Sequence, residues 1–307
     1  MWFQTFGVVL TPDDFSLGDW PERAARAGLT TIALHHSVSS RFVEDFVVSE
    51  PGRAAVSRCR ALGLEVEYEL HAMRDLLPRE LFARSPDMFR MNPEGARTPD
   101  ANCCVHSKEA MDTVVSGALA LCRRMAPSTG RYFLWGDDGA AWCHCPRCRD
   151  LGGSDQALLL ENTILGALRK EVAGARLSHL VYEYTYKAPR QVKPEPGVFL
   201  EFAPIRRSFT RPLREQPDHL DVLDTNLAWF GTEGAQALEY WIDVSLFTHW
   251  KRPCARLPDR REIMAADLET YRKRGVAHVT SFAVLMDSEY LASHGELPLD
   301  GYAAQRR

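Results

Sequence analysis

Two adjacent carboxylates and a glycine, Asp137-Asp138-Gly139, follow the apolar run Tyr132-Phe133-Leu134-Trp135 after the single residue Gly136. Like charges at that spacing repel, so one of the pair is expected to keep its proton and act as a donor. The same triplet is also ordinary turn chemistry, with Asp137 capping the loop and Asp138 facing solvent. Further acids close other apolar runs. Glu183 continues the alternation Val181-Tyr182-Glu183-Tyr184-Thr185, and a Glu late in a core strand faces either a barrel mouth or an ion pair. Glu239 and Asp243 are four positions apart, which in an extended strand puts both on one face with Asp243 nearer the exit.

One carboxyl group that protonates a leaving oxygen, and a second that stabilises or attacks the resulting cationic centre, are the requirements for cleaving a glycosidic bond. Aromatic rings suit the apolar faces of sugars, and Trp135, Tyr182, Tyr184, Tyr240 and Trp241 stand among these acids. His35 and His36, Glu69 with His71, and Glu201 lie at the ends of other runs. Arg206 and Arg207 fit either a bidentate hold on an anionic sugar or a surface ion pair. His179 and His278 fall at strand starts, where structural roles dominate.

Cys143-His144-Cys145-Pro146-Arg147-Cys148 packs three soft ligands into six positions, the spacing of a structural zinc knuckle. A tetrahedral site needs a fourth ligand, for which His144, Cys103, Cys104 and His106 are the candidates. A packed thiol cluster or a local disulfide fits the same spacing.

The elements that must position these groups alternate. Short β-rich runs (FGVVL, TTIALHHS, LEVEYELHA, YFLWGDDG, LSHLVYEYTY, GVFLEFAPI, ALEYWIDVSLF, AHVTSFAVLM) alternate with stretches of helical period. Eight such runs close a parallel (β/α)8 barrel, read here as one domain over 1–307, with active-site groups at the strand exits. Helices are expected around WPERAARAGL, from Pro51 to Leu62, from Ser107 to Met125, over SDQALLLENTILGALRKEV with Ser154 as cap, and from about Asp259 to Arg274. In LEVEYELHA, alternation sends Val66, Tyr68 and Leu70 one way and Glu65, Glu67, Glu69 and His71 the other. The long Pro-, Asn- and Arg-rich connection after the third strand is expected to lie over the site.

Composition narrows the partners. The 307 residues are 45% hydrophobic and 25% charged with a net charge of −4, and no basic run offers a footprint for nucleic acid. No stretch approaches a membrane span, and the start MWFQTFGVVLTPDD lacks a basic and then apolar leader, so a cytoplasmic location is expected. No G-x-G-x-x-G or P-loop follows the first strand, which argues against nucleotide-binding open sheets.

The order PDMFRMNPEGAR, ANCCVHSKEAM, YFLWGDDGAAWCHCPRC, SDQALLLENTILGALRK and VFLEFAPIRRSF resembles a bacterial domain-of-unknown-function family of the glycosidase TIM-barrel clan. Relatives of that group are the β-hexosaminidases of glycoside hydrolase family 20 and the α-glucuronidases of family 67. The likeness runs from about Pro86 to Phe209 and implies a TIM barrel with its acid on the loop after strand four. Longer members carry a small α/β domain before the barrel and a secretion signal, whereas this chain reads directly into strand one. Hexosaminidases hold an Asp-Glu pair at the turn and use the substrate's acetamido group; Asp137-Asp138 departs from that pattern.

The expected activity is hydrolysis of a glycoside, without a required cofactor, by Asp138 as general acid tuned by Asp137, with Glu183 or Asp243 as second carboxylate. A barrel that binds saccharide without cleaving it is the alternative, as is a lyase or isomerase with an open zinc position at the cysteines.

Overall fold

A computed structural model describes residues 2–306. Eight parallel strands close a barrel in chain order: β1 Thr5–Leu10, β2 Thr31–His36, β3 Glu65–His71, β4 Arg131–Trp135, β5 Arg176–Val181, β6 Val198–Phe202, β7 Gln236–Glu239 and β8 His278–Phe282. β1 pairs with both β2 and β8, Thr5 lying opposite His278, which closes the ring. This is the α/β TIM barrel expected of the alternating pattern. No helix among the described residues is long and apolar enough to cross a membrane.

Helices Trp20–Ala27, Glu50–Ala61, Lys108–Arg124 and Arg261–Lys273 form where periodicity and caps place them, and Ser107 accepts from the Ala110 N–H as N-cap. The helix Gly153–Leu168 is capped by Gly152 rather than Ser154. Ser154 instead donates to the carbonyls of Thr185 (2.9 Å) and Lys187 (2.5 Å), tying this helix to the loop after β5. Helices Ser40–Val48 and Pro217–Phe230 were not expected from the pattern, although Pro217 stands at the first helical position of the latter.

Two strands end earlier than the sequence suggests. β5 stops at Val181, and Glu183–Thr185 form a 3-10 turn that Thr185 Oγ1 secures by donating to the Leu180 and Tyr182 carbonyls. β7 stops at Glu239, and Asp243 caps the short helix Val244–Thr248. Glu239 and Asp243 therefore do not share a strand face.

Inside the barrel the polar side of β3 meets its partners. Gln236 Nε2 donates to Glu69 Oε1 and Glu201 Oε1, each over 3.2 Å, and Arg131 Nη2 donates to Gln236 Oε1 over 2.5 Å. Arg131 Nε also lies 3.3 Å from Glu67 Oε1. Tyr68 and Leu70 turn outward against Leu121 and Cys122 of the helix layer, as alternation requires. Three buried acids share one guanidinium; burial pushes the Glu69 and Glu201 carboxyls up, with the facing acids adding to it at Glu69. His278 and His179 are structural, bonded to Thr5 Oγ1 (2.7 Å) and Glu161 Oε2 (2.8 Å).

Candidate active site

A cavity of about 610 Å³ opens at the C-terminal ends of the strands. Its walls come from the last inward positions of the ring: His35 of β2, His71 of β3, Trp135 of β4, Leu180 of β5, Leu238 of β7 and Phe282 of β8. Tyr182 and Tyr240 stand just beyond their strands, and the Tyr240 ring stacks on Phe282 with centroids 5.2 Å apart. Three carboxylates reach this space: Asp13, Asp138 and Asp243. The long connection after β3 contributes no lining residue, so it does not cover the cavity as expected; it packs instead against the exit loop of β4.

That contact separates the aspartate pair. Asp137 Oδ2 accepts from the Asn102 N–H (2.6 Å) and from the Arg79 guanidinium, and the Asp137 N–H returns a bond to Asn102 Oδ1 (2.9 Å). Asn102 Nδ2 also donates to the carbonyls of Ala140 (3.2 Å) and Ala141 (3.0 Å). Asn102 adopts φ 42°, a left-handed conformation that Asn tolerates. A Cβ on Gly136 would stand 2.8 Å from Asn102 Oδ1 and 3.2 Å from the Trp142 ring, so the close approach of the two loops requires glycine there. Asp137 is thus a bolt for the turn, and Asp138 alone of the pair faces the cavity.

Asp138 Oδ1 accepts from the Tyr182 hydroxyl at 3.0 Å and lies 3.6 Å from His71 Nε2. Burial, then the Asp138 charge, push the Tyr182 phenol up, so it stays a donor. His71 Nδ1 sits 2.7 Å from the Gly136 carbonyl, which can only accept, so the proton is on Nδ1 and Nε2 turns to Asp138. His35 is fixed in the same way by the Glu69 carbonyl at 2.8 Å. Burial, with His71 beside it, lowers His35 to about 3, so it is a neutral ring with Nε2 as an acceptor.

On the β7 side, Asp243 Oδ1 accepts from Ser245 N–H (3.0 Å), Ser245 Oγ (2.6 Å) and Leu246 N–H (3.3 Å). No described residue donates to its Oδ2. Burial pushes this carboxyl up to about 6.

The remaining sequence candidates lie elsewhere. Glu183, at φ 47°, pairs with the exposed Arg206, Nε to Oε1 2.8 Å, outside the main cavity. Tyr184 points to solvent with 57% exposure. Trp241 is buried and donates its indole N–H to Asp267 Oδ2 over 3.0 Å. Arg207 is a buried structural cation rather than a surface ion pair, shared by Glu239 and Asp267. Asp13 and Phe282 went unnoticed in the sequence; the strand-exit rule applied to the first and last strands would have found both. Nothing in the sequence marks Arg79 and Asn102 as the clamp on Asp137.

The cysteines of the knuckle do converge. The sulfurs of Cys104, Cys143, Cys145 and Cys148 lie within 4.8 Å of one another, all four residues buried. Cys103 and His144 stand outside this group, and none of the four lines the cavity.

Solved glycosidase structures share the fold at low identity. An endo-glycoceramidase II from Rhodococcus sp. matches at 12% identity over 92% of this chain and 75% of its own, with a TM-score of 0.54. A β-galactosidase from the psychrophilic Marinomonas ef1 gives 12% identity, 91% and 54% coverage and 0.53. A broad-specificity endoglucanase of glycoside hydrolase family 5 from Clostridium longisporum gives 12%, 98%, 95% and 0.51. At these identities the likeness establishes the barrel, and the chain spans about half of the β-galactosidase. No curated protein sequence matches this one. A family model described as domain of unknown function, DUF4838, matches residues 39–296, and the chain belongs to that family.

Proposed function

We propose that this chain is a glycoside hydrolase in which Asp138 is the general acid and Asp243 the second carboxylate. The observation that carries the proposal is that both acids, from the exits of β4 and β7, line one cavity walled by Trp135, Tyr182 and Tyr240. Asp138 sits among a phenol donor and an imidazole nitrogen, partners that hold its carboxyl in place while it gives a proton to the leaving oxygen. Asp243, with Oδ1 held by the helix end and Oδ2 unengaged, has one oxygen for the developing oxocarbenium carbon or for an attacking water. His35 and His71 offer ring edges to sugar hydroxyls, and the aromatic rings offer faces to the apolar side of the sugar. No cofactor has a part in these steps. Kinship with family 20 β-hexosaminidases and family 67 α-glucuronidases belongs to the same proposal, as does the reading of the chain as one domain.

One observation favours a second reading, saccharide binding without cleavage: Asp243 is already a helix cap, a role that by itself accounts for its position. A panel of aryl glycosides, led by N-acetylhexosaminides and glucuronides, separates the two. Cleavage of one substrate by the wild type, reduced by ~10²-fold or more in Asp138→Asn, is the expected result. Silence across the panel with calorimetric sugar binding intact would instead establish the binding protein.

A further inference from the structure

We propose that Cys104, Cys143, Cys145 and Cys148 bind one zinc ion as four thiolates, and that this ion staples the long connection after β3 to the loop that carries Asp138. Cys104 Sγ lies 3.8 Å from Cys145 Sγ and 3.9 Å from Cys148 Sγ. A disulfide needs about 2.05 Å. Tetrahedral zinc with Zn–S bonds of about 2.3 Å sets its sulfurs about 3.8 Å apart, so these separations are those of a tetrahedron's edges. Four sulfurs leave no open position, which makes the site structural rather than catalytic.

The surroundings suit thiolates. Cys143 Sγ accepts from the N–H groups of Met91 (3.3 Å) and Cys145 (3.5 Å) and from Arg97 Nη1 (3.5 Å). His106 Nδ1 lies 3.2 Å from Cys148 Sγ. Donors of this kind orient metal-bound sulfur, and the Arg97 guanidinium offsets part of the charge that four thiolates leave on a divalent ion. The Cys145-Pro146-Arg147-Cys148 turn closes with the N–H groups of Cys148 and Arg149 on the Cys145 carbonyl, at 2.8 and 2.9 Å.

The ion's place in the chain gives it a second consequence. Cys104 follows Asn102, the clamp on Asp137, by two residues, and Cys143 follows Asp138 by five. Gln156 brackets Cys143 from the helix side, its Oε1 accepting from the Cys143 N–H and its Nε2 donating to the Cys143 carbonyl, each at 3.1 Å. Zinc would therefore fix both ends of the acid loop. Only this consequence rests on the glycosidase reading; the metal site does not.

Elemental analysis of the purified full chain is expected to give about one zinc per chain. Exchange for cobalt should produce the intense visible bands of a tetrahedral site together with sulfur-to-metal charge transfer. Cys148→Ser should lose at least nine-tenths of the metal, whereas Cys103→Ser should keep it. Because the Cys148 variant can fail by unfolding, the cobalt spectrum of the wild type decides independently. A folded wild type that takes up neither metal and whose four thiols titrate freely, or are found joined as disulfides, would overturn the site. Metal present without hydrolysis of any glycoside would leave the zinc site standing and remove the glycosidase reading.

Discussion

The Tyr182 hydroxyl donates to Asp138 Oδ1 over 3.0 Å, joining the loop after β5 to the acid on the loop after β4. Because burial keeps the phenol protonated, the bond is available throughout the working pH range and orients the carboxyl without competing for its proton. Tyr182→Phe removes the donor and keeps the ring. The expected outcome is a fall in kcat of about tenfold, equivalent to ~1.4 kcal/mol, with little change in thermal stability. An unchanged kcat would remove Tyr182 from the set of positioning residues.

Asn102 bonds the Asp137 carboxylate, the Asp137 N–H and two carbonyls of the same loop. Asn102→Gly keeps the left-handed backbone accessible and deletes only the side-chain bonds, so its effect isolates the clamp. Urea unfolding should show a loss of about 1–3 kcal/mol, because the Asp137 N–H and two loop carbonyls lose their partner. Gly136→Ala should act in the same direction by pushing a methyl group against Asn102 Oδ1. Equal stability of wild type and Asn102→Gly would show that Arg79 and the backbone N–H of residue 102 hold Asp137 without help from the Asn102 side chain.

Asp243 and Glu183 compete for the role of second carboxylate, and their environments set them apart. Glu183 is neutralised by Arg206 outside the main cavity, whereas Asp243 is buried at its wall with a carboxyl near 6. The sign is fixed by that elevation: below about pH 6 Asp243 is protonated and cannot assist the cationic centre, so activity should fall on the acid side with a midpoint near 6. Asp243→Asn should lower kcat by ~10²-fold or more, while Glu183→Gln should change it less than about threefold. Reversed magnitudes in kinetics on the best aryl glycoside would transfer the role to Glu183.

Much of this arrangement was legible in the residues. Alternation alone set Glu67, Glu69 and His71 on the face opposite Tyr68 and Leu70, because a strand has a period of two. Which face turns into the barrel is seen only in the structure, where the acids meet Gln236 and the other set meets the helix layer. Alternation misled at the two exits where turn chemistry overrides it. Tyr182-Glu183-Tyr184-Thr185 reads as strand, but the Thr185 hydroxyl captures two carbonyls and Glu183 turns left-handed. Tyr240-Trp241-Ile242-Asp243 also reads as strand, although the Asp243 bond to Ser245 two residues on is a cap signal that spacing carries. The choice of Cys104 over Cys103 as the fourth sulfur depends on how two long loops meet, which no local pattern encodes.

Beneath the site, Glu69 offers a test of the barrel's polar interior. Its carboxyl is buried beside Glu201 and Glu67, one of its oxygens has no hydrogen-bond partner, and burial first and the neighbouring acids second push it well up. A carboxyl raised on folding binds a proton that the unfolded chain has already released, so its contribution to stability is present at acid pH and is lost as pH rises above the ordinary Glu range. Glu69→Gln carries no charge and escapes that loss while keeping an oxygen for the Gln236 amide to donate to. The variant should therefore be more stable than the wild type at pH 8, with the difference shrinking towards pH 5 in chemical denaturation. A pH-independent difference between the two proteins would mean that Glu69 enters the folded barrel with its ordinary affinity for protons.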